Sequence, residues 1–394
     1  MLGNITELPD KLGVYRVGNM KFYSKLEAIE MHVKTGIHPH WDFNEAVYSS
    51  CDWTREPTKS IKELYRDRAI QLREKYDYII LHFSGGADST NILQTFLENN
   101  IKLDEIVSHC VDSVATKSKN YFNDEVTKVA WPMVEKLKEQ YPWLKSVQHR
   151  FLEHSEFIED YFAHRHNCDD WFYETNMIWT PNHVARNHNL ALKVPEWADL
   201  LHAGKKICML YGQDKPRIIH ENNCFGFRFI DFIGNVISVK SMAGQYPWTD
   251  ELFYWSPDMP EICIKQAHLI KNYLKLDNVE QLPHVSKVSS DLAYKVVKGT
   301  KYWLSNHGVH QLIYPNWDIN TFSVGKPSSS VLSPRDYWVT NLEEDNVIKK
   351  NWVAGIEKMS NLVCDYWKND VNNFFEKGIK ASWSKIYYLE KGEL

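Results

Sequence analysis

The chain has 394 residues, enough for two or more packed domains, and 43% of them are hydrophobic, which suffices for sizeable cores. Lys and Arg number 46 against 51 Asp and Glu, so the formal net charge of -5 supplies no global basic field for nucleic acid. The composition therefore predicts a globular protein that could hold nucleic acid only through a local basic patch.

The cysteine pattern and the N-terminal residues bear on the cellular compartment. The seven cysteines form no Cys-x-x-Cys pair and no disulfide-like spacing, which is typical of scattered thiols in a reducing compartment. Residues 1–7 lack a basic region followed by an apolar run, and no stretch approaches the length of a membrane span. We therefore expect a cytoplasmic protein without a membrane segment.

The first 60 residues mix short strand-like pieces, such as residues 13–17, with a helix predicted over residues 24–34. We interpret residues 1–60 as an N-terminal extension. Residues 60–75 are strongly charged and carry apolar side chains at helical spacing, which predicts an amphipathic helix. This helix would lead into the first strand of a larger domain, which we place at residues 61–275.

A regular alternation of strands and helices follows. The predicted elements are a strand at 78–83, a helix at 89–99, a strand at 105–110, a helix at 123–140 and a strand at 146–151. Such alternation indicates parallel strands joined by right-handed helical crossovers. The predicted fold class is therefore α/β, with a parallel sheet flanked by helices. Ligands of such sheets bind outside the carboxyl ends of the strands.

The most informative segment, residues 78–90, begins with the first of these strands. An apolar run is followed by a polar turn with two adjacent glycines, Gly85 and Gly86, and then by the start of a helix. Two glycines let the backbone approach a ligand closely, and hydroxyls and free N–H groups of the new helix turn supply donors for phosphate oxygens. The hydroxyl donors are Ser84, Ser89 and Thr90. We expect an anionic, phosphate-bearing ligand.

The spacing in this segment decides which phosphate loop it is. A P-loop needs a lysine after its second glycine, and a dinucleotide fingerprint needs three spaced glycines; the segment has neither. What remains is Ser84-Gly85-Gly86-x-Asp88-Ser89, which resembles the pyrophosphate loop of the N-type ATP pyrophosphatase (PP-loop) superfamily. Those enzymes cleave ATP between the α- and β-phosphates, so the resemblance implies adenylation. An ordinary strand–turn–helix junction is the competing interpretation.

A second glycine-bearing turn follows an apolar strand pattern at residues 206–211. If that strand joins the same sheet, Gly212 and Asp214 would face the nucleotide from a neighbouring strand end. With the proline-led helix predicted to open at residues 180–183, this order is similar to the synthetase domain of asparagine synthetases and β-lactam synthetases. The family turn is usually richer in glycine, whereas residues 215–217 here are Lys-Pro-Arg. The resemblance covers about residues 60–275.

The resemblance implies an adenine nucleotide alpha hydrolase-like fold with ATP and Mg²⁺ as cofactors. Adenine would lie against backbone near residues 108–110, where His109 is either a contact or an ordinary strand histidine. Because hard Mg²⁺ prefers carboxylate and phosphate oxygens, Asp88 is the first candidate metal ligand and Asp214 the second, although either could be a cap or a salt-bridge partner. The predicted cofactor-binding residues are Ser84, Gly85, Gly86, Asp88, Ser89, Thr90, His109, Gly212 and Asp214.

Positive charge is also needed to stabilise departing pyrophosphate. Lys215 and Arg217 follow the second turn, and Lys326 lies in a Gly-, Pro- and Ser-containing loop at residues 314–334 that we interpret as a lid. Each of the three could instead be a surface charge. Together with Asp88 they form the predicted catalytic set.

Other candidate sites are less specific. His164, His166 and Cys168 offer three zinc donors in five residues, although structural zinc sites usually pair ligands at both ends of a loop. Glu251 and Asp258 would recognise an amine, or else serve as a solvated charge and a turn residue. Residues 276–394 are predicted to form a mainly helical region in which tryptophans act as core anchors rather than as base-stacking platforms.

The expected function follows from the resemblance. We expect an AMP-forming ligase that adenylates a carboxylate or carbonyl oxygen of a small-molecule acceptor and then transfers an amine to it. Glutamine-dependent asparagine synthetases begin with a nucleophilic cysteine, whereas this chain begins Met1-Leu2-Gly3 and has its first cysteine at Cys51. The amine would therefore be free ammonia, another amine or the product of a separate amidotransferase subunit. A base-modifying enzyme resembling transfer RNA lysidine synthetases and a non-catalytic nucleotide-binding protein are the alternatives.

Overall fold

A computed structural model describes most of the chain. The described residues are 10–110, 126–164, 169–171, 194–212, 216–221, 224–231, 249–275, 294–298, 300–304, 306–317, 342–367 and 382–391. Among the helices of these residues, none is long and apolar enough to cross a lipid bilayer.

The N-terminal region forms a small antiparallel sheet with two helices. Its elements are β1 (Val14–Val17), β2 (Met20–Phe22), α1 (Lys25–Thr35), β3 (His40–Asp42) and α2 (Glu45–Tyr48). The helix predicted at residues 24–34 is confirmed. It begins after Ser24, whose side chain accepts a hydrogen bond from the Glu27 N–H, and ends at Gly36 with φ of 72°.

The central region contains the predicted alternation. Its elements are α3 (Ile61–Lys75), β4 (Tyr78–His82), α4 (Ala87–Glu98), β5 (Glu105–Cys110), α5 (Trp131–Gln140), β6 (Gln148–Glu153), α6 (Ser155–His164), α7 (Pro195–His202) and β7 (Ile207–Tyr211). The predicted strands and the helices at 60–75 and 89–99 are confirmed to within two residues. Of the helix predicted at 123–140, residues 126–130 form the π-helical turn Val126–Ala130 and residues 131–140 form α5, while residues 123–125 lie outside the described residues.

The remaining part mixes strands and helices. Its elements are β8 (Arg217–Glu221), β9 (Cys224–Arg228), β10 (Thr249–Leu252), α8 (Glu261–Leu274), β11 (Tyr294–Lys298), β12 (Thr300–Leu304), α9 (Asn306–Ile313), α10 (Val347–Trp367) and β13 (Tyr387–Tyr388). The helices α9 and α10 agree with a helical C-terminal region, but the hairpin β11–β12 and the strand β13 were not predicted. Of the predicted lid, only residues 314–317 are described.

The main sheet has five parallel strands in the order β10-β7-β4-β5-β6 and is flanked by helices, as expected for the predicted α/β class. The chain builds the sheet outward from β4 through β5 to β6, and then returns to the other side of β4 for β7 and β10. The direction of building therefore reverses between β4 and β7. In open α/β sheets, ligands bind in the crevice at such a reversal.

The N-terminal region shares its core with later parts of the chain. Phe43 and Tyr48 each lie 4.5 Å, between ring centroids, from Phe229, which follows β9. A buried ion pair of 2.6 Å joins Lys25 of α1 to Asp231. Burial of these aromatic rings removes a large apolar area from water, so residues 10–48 are held on the sheet of β8, β9 and β13.

A buried carboxylate ties the main sheet to its covering helix. Glu251 of β10 is 0% exposed, and Arg68 of α3 donates to it at 2.8 Å. Lys11, Lys75 and Tyr76 also contact this carboxylate. Burial alone would raise the pKa of Glu251, but Arg68 and Lys11 outweigh it and lower the pKa to about 2.

This arrangement corrects the expectation for Glu251. The interpretation of Glu251 as a solvated charge is wrong, because its oxygens are buried among three cations and a phenol. Asp258 pairs with two of the same cations, Lys11 at 2.8 Å and Lys75 at 2.9 Å. Both acids therefore belong to the ion-pair network around β10.

Replacing Arg68 with methionine should destabilise the fold strongly. In this variant Glu251 stays buried but loses Arg68, the fully buried cation that pairs with it. This loss costs about 3 kcal/mol of unfolding free energy. Urea unfolding measures this loss. The matched control is Lys62→Met, which breaks an exposed ion pair with Glu98 and should cost less than about 1 kcal/mol. Equal unfolding midpoints for the two variants would contradict the structural role of the buried pair.

Candidate functional site

The turn between β4 and α4 requires its first glycine. Gly85 has φ of +75°, which side-chain-bearing residues rarely adopt, and a Cβ atom there would lie 2.9 Å from the Ala130 backbone nitrogen. The turn therefore packs directly on the segment that leads into α5. Glycine at this position serves both the backbone conformation and the close packing.

Two serines of the turn hold its shape. The Ser84 N–H donates to Ser89 Oγ at 3.3 Å, and the Ser89 hydroxyl donates to the Gly86 carbonyl at 3.2 Å. The Gly86 N–H donates to Ser84 Oγ at 3.2 Å. Ser84 is exposed and Gly86 and Asp88 are half-buried, whereas Gly85, Ala87, Ser89 and Thr90 are buried. The turn therefore reaches the surface mainly through Ser84.

The second predicted turn meets the first. Strand β7 pairs in parallel with β4, which confirms that it joins the same sheet. A Cβ atom on Gly212 would lie 2.9 Å from the carbonyl carbon of Asp88 and 3.0 Å from the Ser89 nitrogen. Glycine at position 212 therefore lets the two backbones touch at the reversal of the sheet. Asp214 and Lys215 lie outside the described residues.

Asp88 is positioned by two buried tyrosines that the sequence analysis missed. Tyr314, directly after α9, donates its hydroxyl to Asp88 Oδ1, and Tyr254 donates to the Asp88 carbonyl at 2.8 Å. Burial and the Asp88 carboxylate raise the pKa of Tyr314 well above its usual value of 10. Tyr314 therefore stays protonated and donates. The only sequence signal was that Tyr314 begins the predicted lid.

The hydroxyl of Thr90 faces the interior. Thr90 is 1% exposed, and its hydroxyl donates to Met133 Sδ of α5 at 3.5 Å. Its backbone N–H bonds the Gly86 carbonyl within the first turn of α4. Thr90 and Ser89, which is 5% exposed, thus support the turn from the interior, while Ser84 is exposed.

The predicted adenine region carries an aromatic group that the sequence analysis did not identify. Ser108 of β5 donates to the Phe83 carbonyl at 2.7 Å and lies 3.2 Å from His149 Nε2. Trp131 stacks on His149 with ring centroids 4.6 Å apart. Burial, reinforced by Lys138, lowers the pKa of His149 to about 4, so this imidazole is neutral at pH 7.

The other predicted site residues have different positions. Arg217 is the first residue of β8, is 8% exposed and lies opposite Arg228 in the sheet of β8, β9 and β13. It therefore lies in a different sheet from the two turns. Lys326 lies outside the described residues. His109 lies at the carboxyl end of β5, as predicted, between two other histidines.

The described part of the chain contains no group of three or more His, Cys, Asp or Glu side chains arranged to hold a metal ion. The zinc hypothesis is not tested by this result, because residues 165–168 and the side chain of His164 lie outside the described residues. Neither a comparison with models of known protein families nor a comparison with curated proteins gives a match.

The start of α4 is the candidate anion-binding site of this edge of the sheet. The first residues of α4 present backbone N–H groups and the positive end of a helix dipole, equivalent to roughly half a unit charge, next to the exposed hydroxyl of Ser84. The Gly212 backbone packs directly against Asp88 and Ser89 in this first turn of the helix. Such a helix terminus at the reversal of a parallel sheet binds phosphate groups in α/β proteins.

Alanine at Gly85 should destabilise the protein more than alanine at Gly204. Both glycines have a left-handed backbone, with φ of +75° and +76°, but a Cβ atom on Gly204 would meet nothing within 4 Å. The two variants share the conformational penalty, and Gly85→Ala must also displace Ala130, which adds about 1–3 kcal/mol. Thermal unfolding of the two variants measures the difference. Equal losses would show that the turn tolerates a methyl group.

Proposed function

We propose that the chain is an AMP-forming ligase of the ATP pyrophosphatase type, which adenylates a carboxylate or carbonyl oxygen and transfers an amine to it. The observation that supports this proposal most is the placement of the Ser84–Ser89 turn. The turn precedes α4 at the point where the strand order of the parallel sheet reverses. Gly212, which follows the neighbouring strand, packs against the first residues of α4. Phosphate groups bind at such a place, and the loop residues match the pyrophosphate loop.

The loop would bind the β- and γ-phosphates of ATP. The backbone N–H groups at the start of α4 and the hydroxyl of Ser84 provide donors, and the helix dipole favours the negative charge. As pyrophosphate leaves, these donors face the oxygen on which charge develops, which is how preformed hydrogen-bond donors lower an activation barrier. Lys215 and Lys326 remain our candidates for additional positive charge. Arg217 is buried in β8, in a different sheet from the two turns, and is not assigned this role.

Asp88 fits the role of a magnesium ligand. Mg²⁺ usually takes one or two protein carboxylates together with substrate phosphates and water, so Asp88 alone would suffice and Asp214 would be a second ligand. Tyr314 donates to one oxygen of Asp88, and a hydrogen bond of this kind fixes the orientation of a metal-bound carboxylate. Bound Mg²⁺ neutralises phosphate charge.

The reaction would have two steps. An acceptor oxygen attacks the α-phosphorus, its new bond to phosphorus forms, and the bond to the bridging oxygen of pyrophosphate breaks. The nitrogen of ammonia or another amine then attacks the activated carbon, AMP leaves with the bridging oxygen, and one proton leaves the nitrogen. The residues of the turn and of the start of α4 would hold the nucleotide so that its α-phosphate faces the acceptor. Holding the two reacting groups in this orientation accelerates the reaction.

Release of AMP and pyrophosphate tests this proposal. ATP and Mg²⁺ are incubated with panels of amino acids, other carboxylates, amines and transfer RNA, and both products are quantified. Acceptor-dependent release of AMP and pyrophosphate is expected, and Asp88→Asn should reduce it at least about 100-fold because charge stabilisation by the metal is lost. The control is Asp67→Asn, which removes an acid that pairs with Lys59 on the surface.

Each product pattern assigns a different reaction. Formation of ADP and phosphate would reject cleavage between the α- and β-phosphates. Release that depends on transfer RNA would favour a base-modifying enzyme over a small-molecule ligase. Binding of ATP without any pyrophosphate would indicate a non-catalytic nucleotide-binding protein.

Removing the hydroxyl of Tyr314 should specifically weaken magnesium binding. In Tyr314→Phe the ring remains, but Asp88 loses the donor that orients it, so the Mg²⁺ concentration for half-maximal activity should rise about 10-fold. The control is Tyr273→Phe, because the hydroxyl of Tyr273 makes no hydrogen bond within the described residues. A magnesium titration of both variants measures the effect. An unchanged titration curve for Tyr314→Phe would argue against Asp88 as a metal ligand.

A further inference from the structure

Three buried tyrosines pack together next to Asp88. Tyr65 belongs to α3, Tyr254 lies after β10 and Tyr314 lies after α9, and none of them is more than 2% exposed. The ring of Tyr254 lies 5.4 Å, between centroids, from each of the other two rings. Tyr254 and Tyr314 donate directly to Asp88. Tyr65 donates instead to the Ile313 carbonyl at 2.8 Å, so it acts on a different part of the structure.

The bond from Tyr65 fixes the peptide unit that carries Tyr314. Ile313 is the last residue of α9, and the last four carbonyls of a helix have no partner within the helix. The Tyr65 hydroxyl supplies a donor for the Ile313 carbonyl. The N–H of the same peptide unit belongs to Tyr314 and donates to the His310 carbonyl at 2.8 Å. Because the peptide unit is planar, these two bonds also fix the direction in which the Tyr314 side chain leaves the backbone.

Gln266 of α8 orients the Tyr65 hydroxyl. A carbonyl can only accept, so the Tyr65 proton must point toward Ile313. The Gln266 Nε2 amide lies 2.8 Å from the Tyr65 oxygen and therefore donates to it. Burial raises the pKa of Tyr65 well above its usual value of 10, so the hydroxyl keeps its proton. The helices α3, α8 and α9 thus meet at two consecutive hydrogen bonds.

We propose that Tyr65 and Gln266 are positioning residues for the magnesium site; this inference rests on the proposed function. Gln266 orients Tyr65, and Tyr65 fixes the peptide unit between Ile313 and the next residue. That next residue is Tyr314, whose hydroxyl holds the Asp88 carboxylate. A carboxylate that is held in one orientation binds a metal ion more tightly, because less conformational freedom is lost on binding.

Burial makes this arrangement sensitive to a single hydroxyl. Gln266 and Ile313 are both 0% exposed. Without the Tyr65 hydroxyl, the Ile313 carbonyl and the Gln266 amide would remain buried after losing their common partner. A buried polar group without a partner is costly, so we expect the peptide unit to turn toward another donor. Such a turn would redirect Tyr314 away from Asp88.

The variant Tyr65→Phe separates positioning from a general loss of stability. With ATP, Mg²⁺ and the acceptor found in the product panel, its Mg²⁺ concentration for half-maximal activity should rise about 10-fold. Its rate at saturating Mg²⁺ should stay close to that of the unaltered protein. The matched control is Tyr15→Phe, because Tyr15 is 2% exposed and donates a buried bond to Asp231 at 2.7 Å. This control should lower the unfolding temperature, as Tyr65→Phe does, and leave the magnesium titration unchanged.

A double variant gives a sharper test. If Tyr65 acts only through Tyr314, the double variant Tyr65→Phe/Tyr314→Phe should need no more Mg²⁺ than Tyr314→Phe alone, which is about 10-fold more than the unaltered protein. Two independent effects would multiply to about 100-fold and would overturn the proposal. An unchanged magnesium titration for Tyr65→Phe would overturn it as well.

A spectroscopic measurement tests the positioning without any substrate. In the full chain labelled with ¹³C at Cζ of tyrosine, the resonance of Tyr314 is identified by its absence from Tyr314→Phe. This resonance reports the hydrogen bond of the hydroxyl, so it should move in Tyr65→Phe and stay in place in Tyr15→Phe. An unmoved Tyr314 resonance in Tyr65→Phe would overturn the positioning. If no acceptor yields AMP and pyrophosphate, the ligase reaction and the magnesium role are rejected, while this resonance still decides whether Tyr65 holds Tyr314.

Discussion

The candidate site depends on one close contact, between the turn that follows β7 and the first residues of α4. A Cβ atom on Gly212 would lie 2.9 Å from the carbonyl carbon of Asp88, so no side chain fits between the two backbones. Parallel pairing of β4 with β7 brings both turns to one edge of the sheet, at the point where the strand order reverses. This contact holds the serine–glycine turn, the Asp88 carboxylate and the helix N-terminus together at one edge of the sheet.

Side chains from distant parts of the chain stabilise this contact through hydrogen bonds. Tyr254 and Tyr314 donate to the carbonyl and the carboxylate of Asp88, and Asn91 of α4 donates to the Tyr254 hydroxyl at 2.9 Å. A buried hydroxyl without a partner is costly, so these bonds favour one arrangement of β10, α9 and α4. At the same edge of the sheet, His82 hydrogen-bonds His109. Two buried polar networks therefore lie next to the turn that follows β4.

Local patterns explain why much of the fold was predictable. The strands β4 and β7 are compact apolar runs, and α3 begins with a capping box formed by Ser60 and Glu63. The short strand β10 was missed because two of its four residues are acids. Glu251 can be buried there only because Arg68, on another element, neutralises it. The strand β13 has two residues and exists only through its pairing with β9.

The sequence by itself determined the α/β class, the strand that precedes the turn, and the presence of two glycines, two serines and an acid at spacings that suit a phosphate loop. These features are local, since strand periodicity and turn chemistry act over a few residues. Only the tertiary structure decided that Gly212 meets Asp88, that Tyr314 holds its carboxylate, and that His82, His109 and His154 form a row. These contacts depend on strand order and register, which join residues far apart in the chain through packing that no local pattern encodes.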